Sequence, residues 1–177
     1  MRIIDIKNWI LRYVKDNHKK SVVIPNGETP NIKLINQICL QAGTLKIINT
    51  NNILEAAEQE NGVILGDINR NELFMRSYKK HIPIDILPIG NVFYSDILKL
   101  LDLPQENPQI DQVLTYADVE WAANQDTKNS IITNDVMPNS VRNWFIYTLK
   151  QKEIISRLHQ REKQTRHKAL HLPICIL

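Results

Sequence analysis

Short apolar runs alternate with stretches of helical periodicity, and this alternation limits most strongly how the chain can fold. The runs are Ser21-Val22-Val23-Ile24, Lys46-Ile47-Ile48-Asn49, Val63-Ile64-Leu65 and the segment Ile84 to Ile89. They are short and rich in β-branched residues, so they read as strands. Ahead of the first, Ile6, Trp9, Ile10, Tyr13 and Val14 share one helical face, with Asp5 as candidate N-cap. After the Pro25-Asn26-Gly27-Glu28 turn, Thr29-Pro30 places a cap before a proline at the first helical position. Ile32, Ile35, Cys39 and Ala42 continue that helix to Gly43. Further helices are expected over Ile53 to Glu60, Arg70 to Tyr78 and Val92 to Leu101. Strands that alternate with helices in this way build a parallel sheet covered on both faces, a three-layer αβα fold. Runs that are apolar throughout suit strands buried on both sides.

The second part of the chain changes character. Pro104 to Gln112 reads as a loop, and Tyr116 to Ala123 as a helix with Thr115 as cap and Asp118 three residues on. Asn124 to Asn139 is polar and loop-like. A long helix is expected over about Ser140 to Lys163, with Val141, Trp144, Phe145, Thr148, Ile155 and Leu158 near one face. A length of 177 residues suits one domain, here an α/β core over 1–103 and a helical part with a basic tail over 104–177. Apolar content of 43% and charged content of 23% belong to the globular class. The net charge of +3 says little, but Lys150 to His171 carries seven Lys or Arg and three His against Glu153 and Glu162. That end should attract phosphate, on a nucleotide or on nucleic acid.

Cys39 and Cys175 make no disulfide framework, and Cys39, within a helical pattern, is expected in the core. No run is long and apolar enough to span a membrane, and Asp5 and Lys7 interrupt any signal-peptide core, so a reduced, cytoplasmic location is expected. No His/Cys group has zinc spacing, and neither Cys nor any Ser-His-Asp set supports a nucleophile.

Ligands of such sheets sit beyond the carboxyl ends of the strands. One of those ends reads Gly66-Asp67-Ile68-Asn69-Arg70-Asn71-Glu72, a strand closing in Gly, a polar turn and a helix start, which suits phosphate or a metal-bound nucleotide. Gly66, Asn69-Arg70-x-Glu72, Asp85-x-x-Pro88-Ile89-Gly90, then Ile97, Leu100-Leu101 and Leu103-Pro104 resemble the NAD synthase family of ammonia- or glutamine-dependent amide ligases. The end of the chain, a basic helix followed by Thr165-Arg166-His167-Lys168 and a Pro-containing terminus, is similar in type to that family's closing tail. The resemblance implies an adenine nucleotide alpha hydrolase-like, Rossmann-like fold. It implies ATP and magnesium as cofactors, and conversion of deamido-NAD, ATP and ammonia to NAD, AMP and pyrophosphate. It also implies a homodimer, or pairing with another synthase subunit. Residue by residue, it implies nucleotide contacts at Asn26, Gly27, Gly66, Asp67, Asn69, Arg70 and Asp85, phosphate contacts from His167 and Lys168, and magnesium at Glu72. No residue is assigned a catalytic role.

The departures from the family pattern concern the chemistry. The family's pyrophosphate loop is Ser-Gly-Gly-x-Asp-Ser, whereas Pro25-Asn26-Gly27-Glu28-Thr29-Pro30 stands here. Proline removes backbone donors, and Glu28 adds negative charge where pyrophosphate would sit. The family's Thr after the third-strand Gly is Asp67, its Lys-bearing loop is shortened to Ser77 to His81, and its second strand–helix–strand stretch is missing. These changes imply reduced or lost synthase activity, or a non-catalytic protein that binds a nucleotide or another protein. Plain alternatives stand beside each assignment. Glu72 is also a solvated residue favoured by a helix N-terminus, Asp67 a turn former, Asp85 a strand-start residue, and His167-Lys168 a free basic end. Arg76, Lys79 and Lys80 are candidates for the missing loop lysine, Trp121 and Trp144 read as packing residues, and a nucleic-acid surface on the basic helix is a third reading.

Overall fold

The computed structural model describes residues 2–75, 83–110, 114–129, 147–165 and 173–175, with side chains at 126–129, 162, 163 and 165 left aside. The chain forms two compact units. The first comprises 1–70, 79–105 and 170–177, and the second 71–78 and 106–169.

In the first unit, α1 (Ile3–Asp16) buries Ile6, Ile10 and Val14, as the periodicity predicts. It starts two residues before Asp5, with Arg2 at the N-cap position, so Asp5 is not the cap. Asp5 instead lies in the first turn, where its charge suits the helix dipole and its two oxygens accept from the Arg2 guanidinium at 3.0 and 3.1 Å. Strand β1 (Ser21–Pro25) is buried from Ser21 to Ile24. It is the centre of a parallel sheet in the order β2-β1-β3, with β2 at Lys46–Thr50 and β3 at Gly62–Ile64. Val22 pairs with Ile47 on one side and with Val63 on the other.

Helix α2 (Pro30–Leu40) joins β1 to β2, and α3 (Ile53–Gln59) joins β2 to β3. These crossovers run in opposite directions across the sheet. Right-handed connections therefore put the two helices on opposite faces. The burial pattern agrees. Val22, Ile24, Val63 and Leu65 join the core formed with α1 and α2, whereas a Cβ on Gly62 would meet both Val23, at 2.8 Å, and Ala57 of α3, at 3.6 Å. The layers are the three expected. Thr29 caps α2 by accepting from Ile32 N–H at 3.3 Å, with Pro30 at the helix start.

The expected fourth strand, Ile84 to Ile89, shrinks to single bridges, Leu65 with Ile86 and Leu87 with Ile174. The Asp85 carboxylate takes the Ile64 N–H at 2.7 Å, a place a backbone carbonyl would fill in a ladder. Beyond Leu87 the chain turns through Pro88 and Gly90, whose N–H bonds back to Leu87 C=O. Helix α4 (Arg70–Met75) is described as far as Met75, and α5 spans Tyr94–Leu100, shorter than expected because Phe93 is extended at its N-cap.

In the second unit, α6 (Tyr116–Asn129) begins on the expected Thr115 cap, with Asp118 Oδ2 accepting from the Thr115 N–H at 3.0 Å. It runs six residues past Ala123, through 124–129, where a loop was expected. That stretch is polar but holds no Gly or Pro, so nothing stops the helix. The last helix, α7, is Leu149–Thr165; Tyr147 and Thr148, within the expected helix, are outside it, and the expected start at 140–146 lies outside the described residues. Thr148 and Gln151 form a capping box, Gln151 Oε1 accepting from Thr148 N–H at 2.8 Å and Thr148 Oγ1 from Gln151 N–H at 3.3 Å. The second core joins Met75, Leu114, Val119 and Ala122 to Tyr147, Ile155 and Leu158. Trp121 packs edge-on against Tyr147 at 5.9 Å, the packing role expected of it. Trp144, Arg76, Lys79, Lys80, His167 and Lys168 lie outside the described residues. Among the described residues no helix is long and apolar enough to cross a membrane.

Candidate functional site

The chain leaves β1 towards β2 on one side and leaves β3 towards the fourth segment on the other, so the carboxyl ends of β1 and β3 flank the point where a sheet of this kind opens a crevice. The loop after β1 is Asn26 to Thr29, and the turn after β3 is Leu65 to Asn69. The two are tied together by side-chain amides. Asn31, in the first turn of α2, donates from Nδ2 to the Asp67 carbonyl at 2.6 Å, and its Oδ1 accepts from Asn69 Nδ2 at 3.2 Å. Asn69 is fully buried and Asn31 is 6% exposed, so both amides are part of the frame that holds the loop ends. Asn31 was not among the residues the sequence singles out. Its one signal is an amide in the first turn of the helix that follows the carboxyl end of β1.

The β1 loop offers few donors to an anion. Pro25 and Pro30 have no N–H, and the Asn26 N–H is used by the Thr50 carbonyl at 3.1 Å, extending the β1–β2 ladder. The Thr29 hydroxyl is used on α2. Glu28 is exposed, and its carboxylate meets Lys33 at 3.3 Å, a surface pair of small energetic weight. Gly27 has a packing reason, since a Cβ there would lie 2.6 Å from Ile32 Cδ1. An open groove of about 500 Å³ adjoins this loop, lined by Gly27, Glu28 and α2 residues including Lys33, Asn36 and Leu40. No residue of 66–69 lines it, so it follows the outer face of α2 and not the crevice.

Gly66 is buried, and a Cβ on it would meet Leu87 and Ile84 inside 3 Å. Its N–H bonds to Ile86 C=O at 2.9 Å. Close approach of the Ile84–Leu87 segment therefore accounts for this glycine. Asp67 is half-buried, and no ion pair holds its carboxylate among the described residues. Arg70 donates its backbone N–H to Val92 C=O, and its guanidinium stacks 4.4 Å from the Phe93 ring centre. Asp85 has one oxygen on the Ile64 N–H. The structure thus gathers Asn26, Gly27, Gly66, Asp67, Asn69 and Arg70 on the loops at the strand ends, while Asp85 stands at the start of the fourth segment.

Glu72 belongs to the second unit and sits half-buried in the first turn of α4. Beside it in sequence, Asn71 is fully buried and donates to Tyr116 C=O at 3.1 Å and to Glu120 Oε1 at 3.2 Å. Among the described residues no three His, Cys, Asp or Glu come together as a metal cluster. A lone carboxylate matches magnesium only where substrate phosphates supply the remaining ligands. Parts of the basic helix have structural work. Arg161 donates to the Met75 carbonyl at 3.2 Å, Lys150 meets Asp118 at 3.6 Å, and His159 is buried. Both cysteines are buried, which pushes the Cys39 thiol up to about 12 and Cys175 up to about 11, the nearby Asp5 charge adding to the latter. At neutral pH both are thiols, not nucleophilic thiolates.

No family model matches the sequence, and no curated protein matches it. Solved structures do match its fold. An NMN synthetase from Francisella tularensis superposes with a TM-score of 0.61 at 14% identity, over 95% of this chain and 94% of that one. An NH3-dependent NAD synthetase from Campylobacter jejuni subsp. jejuni, in complex with the nitrate ion, superposes with a TM-score of 0.63 at 14% identity, over 100% of this chain and 99% of that one. At such identity the likeness is one of fold, and the fold is that of the NAD and NMN synthetase structures, an α/β architecture on a short parallel sheet.

Proposed function

We propose that the chain is an NAD-synthase-like protein of the ATP-dependent amide ligase type, in which the synthase reaction is reduced or lost. The observation that supports this is the donor supply of the β1 loop. Two prolines replace N–H groups, the Asn26 N–H is bound in the sheet, and Glu28 adds a negative charge. A pyrophosphate leaving group needs converging N–H donors. The β1 loop does not supply them.

On this reading Asn26, Gly27, Gly66, Asp67, Asn69, Arg70 and Asp85 descend from nucleotide-contacting positions. Glu72 descends from a magnesium position, and His167 with Lys168 from a phosphate-binding tail. Asn69 and Asp85 are engaged in the protein frame and the Arg70 guanidinium stacks on Phe93, which leaves Asp67 as the side chain best placed to meet a nucleotide in the first unit. The alternative within the same reading is a non-catalytic protein that still binds a nucleotide or a protein partner. The test supplies deamido-NAD, ATP, magnesium and ammonia and follows NAD and AMP. The expected result is no product above the protein-free control. Turnover that falls on Glu72→Ala would overturn the proposal. Calorimetry with ATP and magnesium separates a retained nucleotide site, which Asp67→Ala should weaken, from a fold that no longer binds one.

A further inference from the structure

Asn followed by Gly occurs twice, at Asn26-Gly27 and at Asn61-Gly62. The side-chain amide carbon of such an Asn lies within reach of the next backbone nitrogen, and Gly leaves that nitrogen unshielded because it has no Cβ. Asn is for this reason among the chemically labile residues. The two dipeptides are identical, so the fold decides between them. At Asn61 the amide is held. Its Nδ2 donates to the His18 carbonyl at 3.1 Å, its C=O accepts from Lys20 N–H at 3.0 Å, and its N–H donates to Glu58 C=O at 3.4 Å. Gly62 is buried at the start of β3 opposite Ser21, where a Cβ would meet Ser21 Oγ and Val23 at 2.8 Å. Closing a ring there would draw the side chain off His18 and turn a peptide that the strand holds.

At Asn26 nothing comparable restrains the reacting groups. Asn26 and Gly27 are both exposed, between the end of β1 and the start of α2. The Asn26 N–H is fixed on Thr50 C=O at 3.1 Å, but that bond lies on the amino side and leaves the peptide towards Gly27 free to turn. Among the described residues neither the Asn26 side-chain amide nor the Gly27 N–H makes a hydrogen bond. We propose that Asn26-Gly27 is a self-modification site, at which the Asn26 amide is converted to a carboxylate while Asn61-Gly62 is preserved.

The step needs water and no other reactant. The Gly27 nitrogen attacks Asn26 Cγ, the N–Cγ bond forms, the Cγ–Nδ2 bond breaks, and ammonia leaves with the proton that Gly27 gave up. The product is a cyclic imide. Water then opens it at either carbonyl. Attack at Cγ restores the ordinary backbone and leaves an aspartate. Attack at the backbone carbonyl leaves an isoaspartate, whose chain runs on through Cβ and Cγ. In both products the formal net charge of +3 falls by one. The new carboxylate stands beside Glu28, whose partner Lys33 at 3.3 Å then faces two negative groups. The isoaspartate also lengthens the loop between β1 and α2 by a methylene carbon. Both changes make the carboxyl end of β1 less hospitable to an anion. The inference is independent of whether a nucleotide binds or reacts.

The test holds the folded full chain in mildly alkaline buffer at physiological temperature and follows both sites by peptide mass mapping, with isoaspartate read by methyltransferase labelling. The Asn26 peptide should gain the mass of an amide-to-acid change and the methyl label, and a more acidic species should grow on ion exchange, while the Asn61 peptide stays unchanged. In denaturant both peptides should convert. Gly27→Ala shields the nitrogen and should slow conversion at Asn26 severalfold. Should Gly27→Ala fail to fold, the comparison of the two sites in the unaltered chain decides alone. An Asn26 peptide that stays unmodified, or an Asn61 peptide that converts as fast in the folded chain, overturns the proposal. So does an Asn61 peptide that stays protected in denaturant, because the fold would then not be what separates the two sites.

Discussion

A Cβ on Gly66 would lie 2.6 Å from Leu87 Cδ2 and 2.7 and 2.8 Å from two atoms of Ile84. One of these, Ile84 Cγ2, belongs to a β-branched carbon that cannot swing away without moving the backbone. Gly66→Ala should therefore cost about 1–3 kcal/mol, the range of an overpacked core, read as a lowered urea midpoint at unchanged slope. Gly27→Ala meets the flexible end of Ile32 alone, and a cost below about 1 kcal/mol is expected by the same reasoning. Equal effects at the two glycines would contradict the packing account. From the sequence, Gly66 reads as a phosphate-friendly turn, because its neighbours in the chain are polar. Its spatial neighbours lie some twenty residues away, where no local pattern can show them. Cys39 is a second case. Its thiol is pushed from 9.0 up to about 12 by burial, so the folded state disfavours the thiolate. The contribution is whole below about pH 9 and is lost as pH rises through the window from 9.0 to about 12, at up to ~1.4 kcal/mol per pH unit. The stability difference between the parent and Cys39→Ala should shrink across that window, as followed by urea unfolding at stepped pH. A difference that stays constant from pH 8.5 to 11 would refute the assignment.

At the scale of elements, capping chemistry decides where helices begin. Thr29-Pro30 and Thr115-x-x-Asp118 are legible in the sequence, and the structure uses both. Thr148-x-x-Gln151 carries the same signal, yet the apolar spacing from Val141 to Leu158 suggests one uninterrupted helix. The backbone follows the cap: α7 starts at Leu149 with both box hydrogen bonds made. Periodicity tells which face is buried but cannot tell where a helix starts, since apolar residues ahead of the cap can keep the same spacing. Thr148→Ala should cost ~1 kcal/mol, and Thr148→Asn or Asp should restore most of it. Thermal unfolding of the three variants checks this, and a Thr148→Ala protein as stable as the parent would mean that packing alone sets the start of α7. The fourth segment errs in the other direction. Ile84 to Ile89 has strand composition, but the Asp85 side chain and the turn at Pro88 replace most of its ladder.

At the scale of the whole molecule, the strand order follows from chain order and handedness once the three runs are recognised, and so do the opposite faces of α2 and α3. What remained hidden is how far apart in sequence the first unit draws its parts. Leu87 donates its N–H to Pro173 C=O at 2.9 Å and accepts from Cys175 N–H at 3.3 Å, closing a bridge to Ile174. Cys175 is fully buried in the same core as Ile6 and Ile10 of α1. The last residues thus do for Leu87 what a neighbouring strand would do, and they read in the sequence as a mere tail because a contact spanning the chain leaves no local periodicity. A chain ending at Ala169 should leave the Leu87 groups without these partners and a void where Cys175 packs, at a cost of about 2–5 kcal/mol. The loss should appear as a lower urea midpoint. Cys175→Ala keeps the backbone pairing and removes a single buried atom, so its cost should be about 1 kcal/mol or less. If truncation cost no more than Cys175→Ala, the backbone bridge would contribute nothing, and the C-terminal segment would be a covering rather than a strand of the fold.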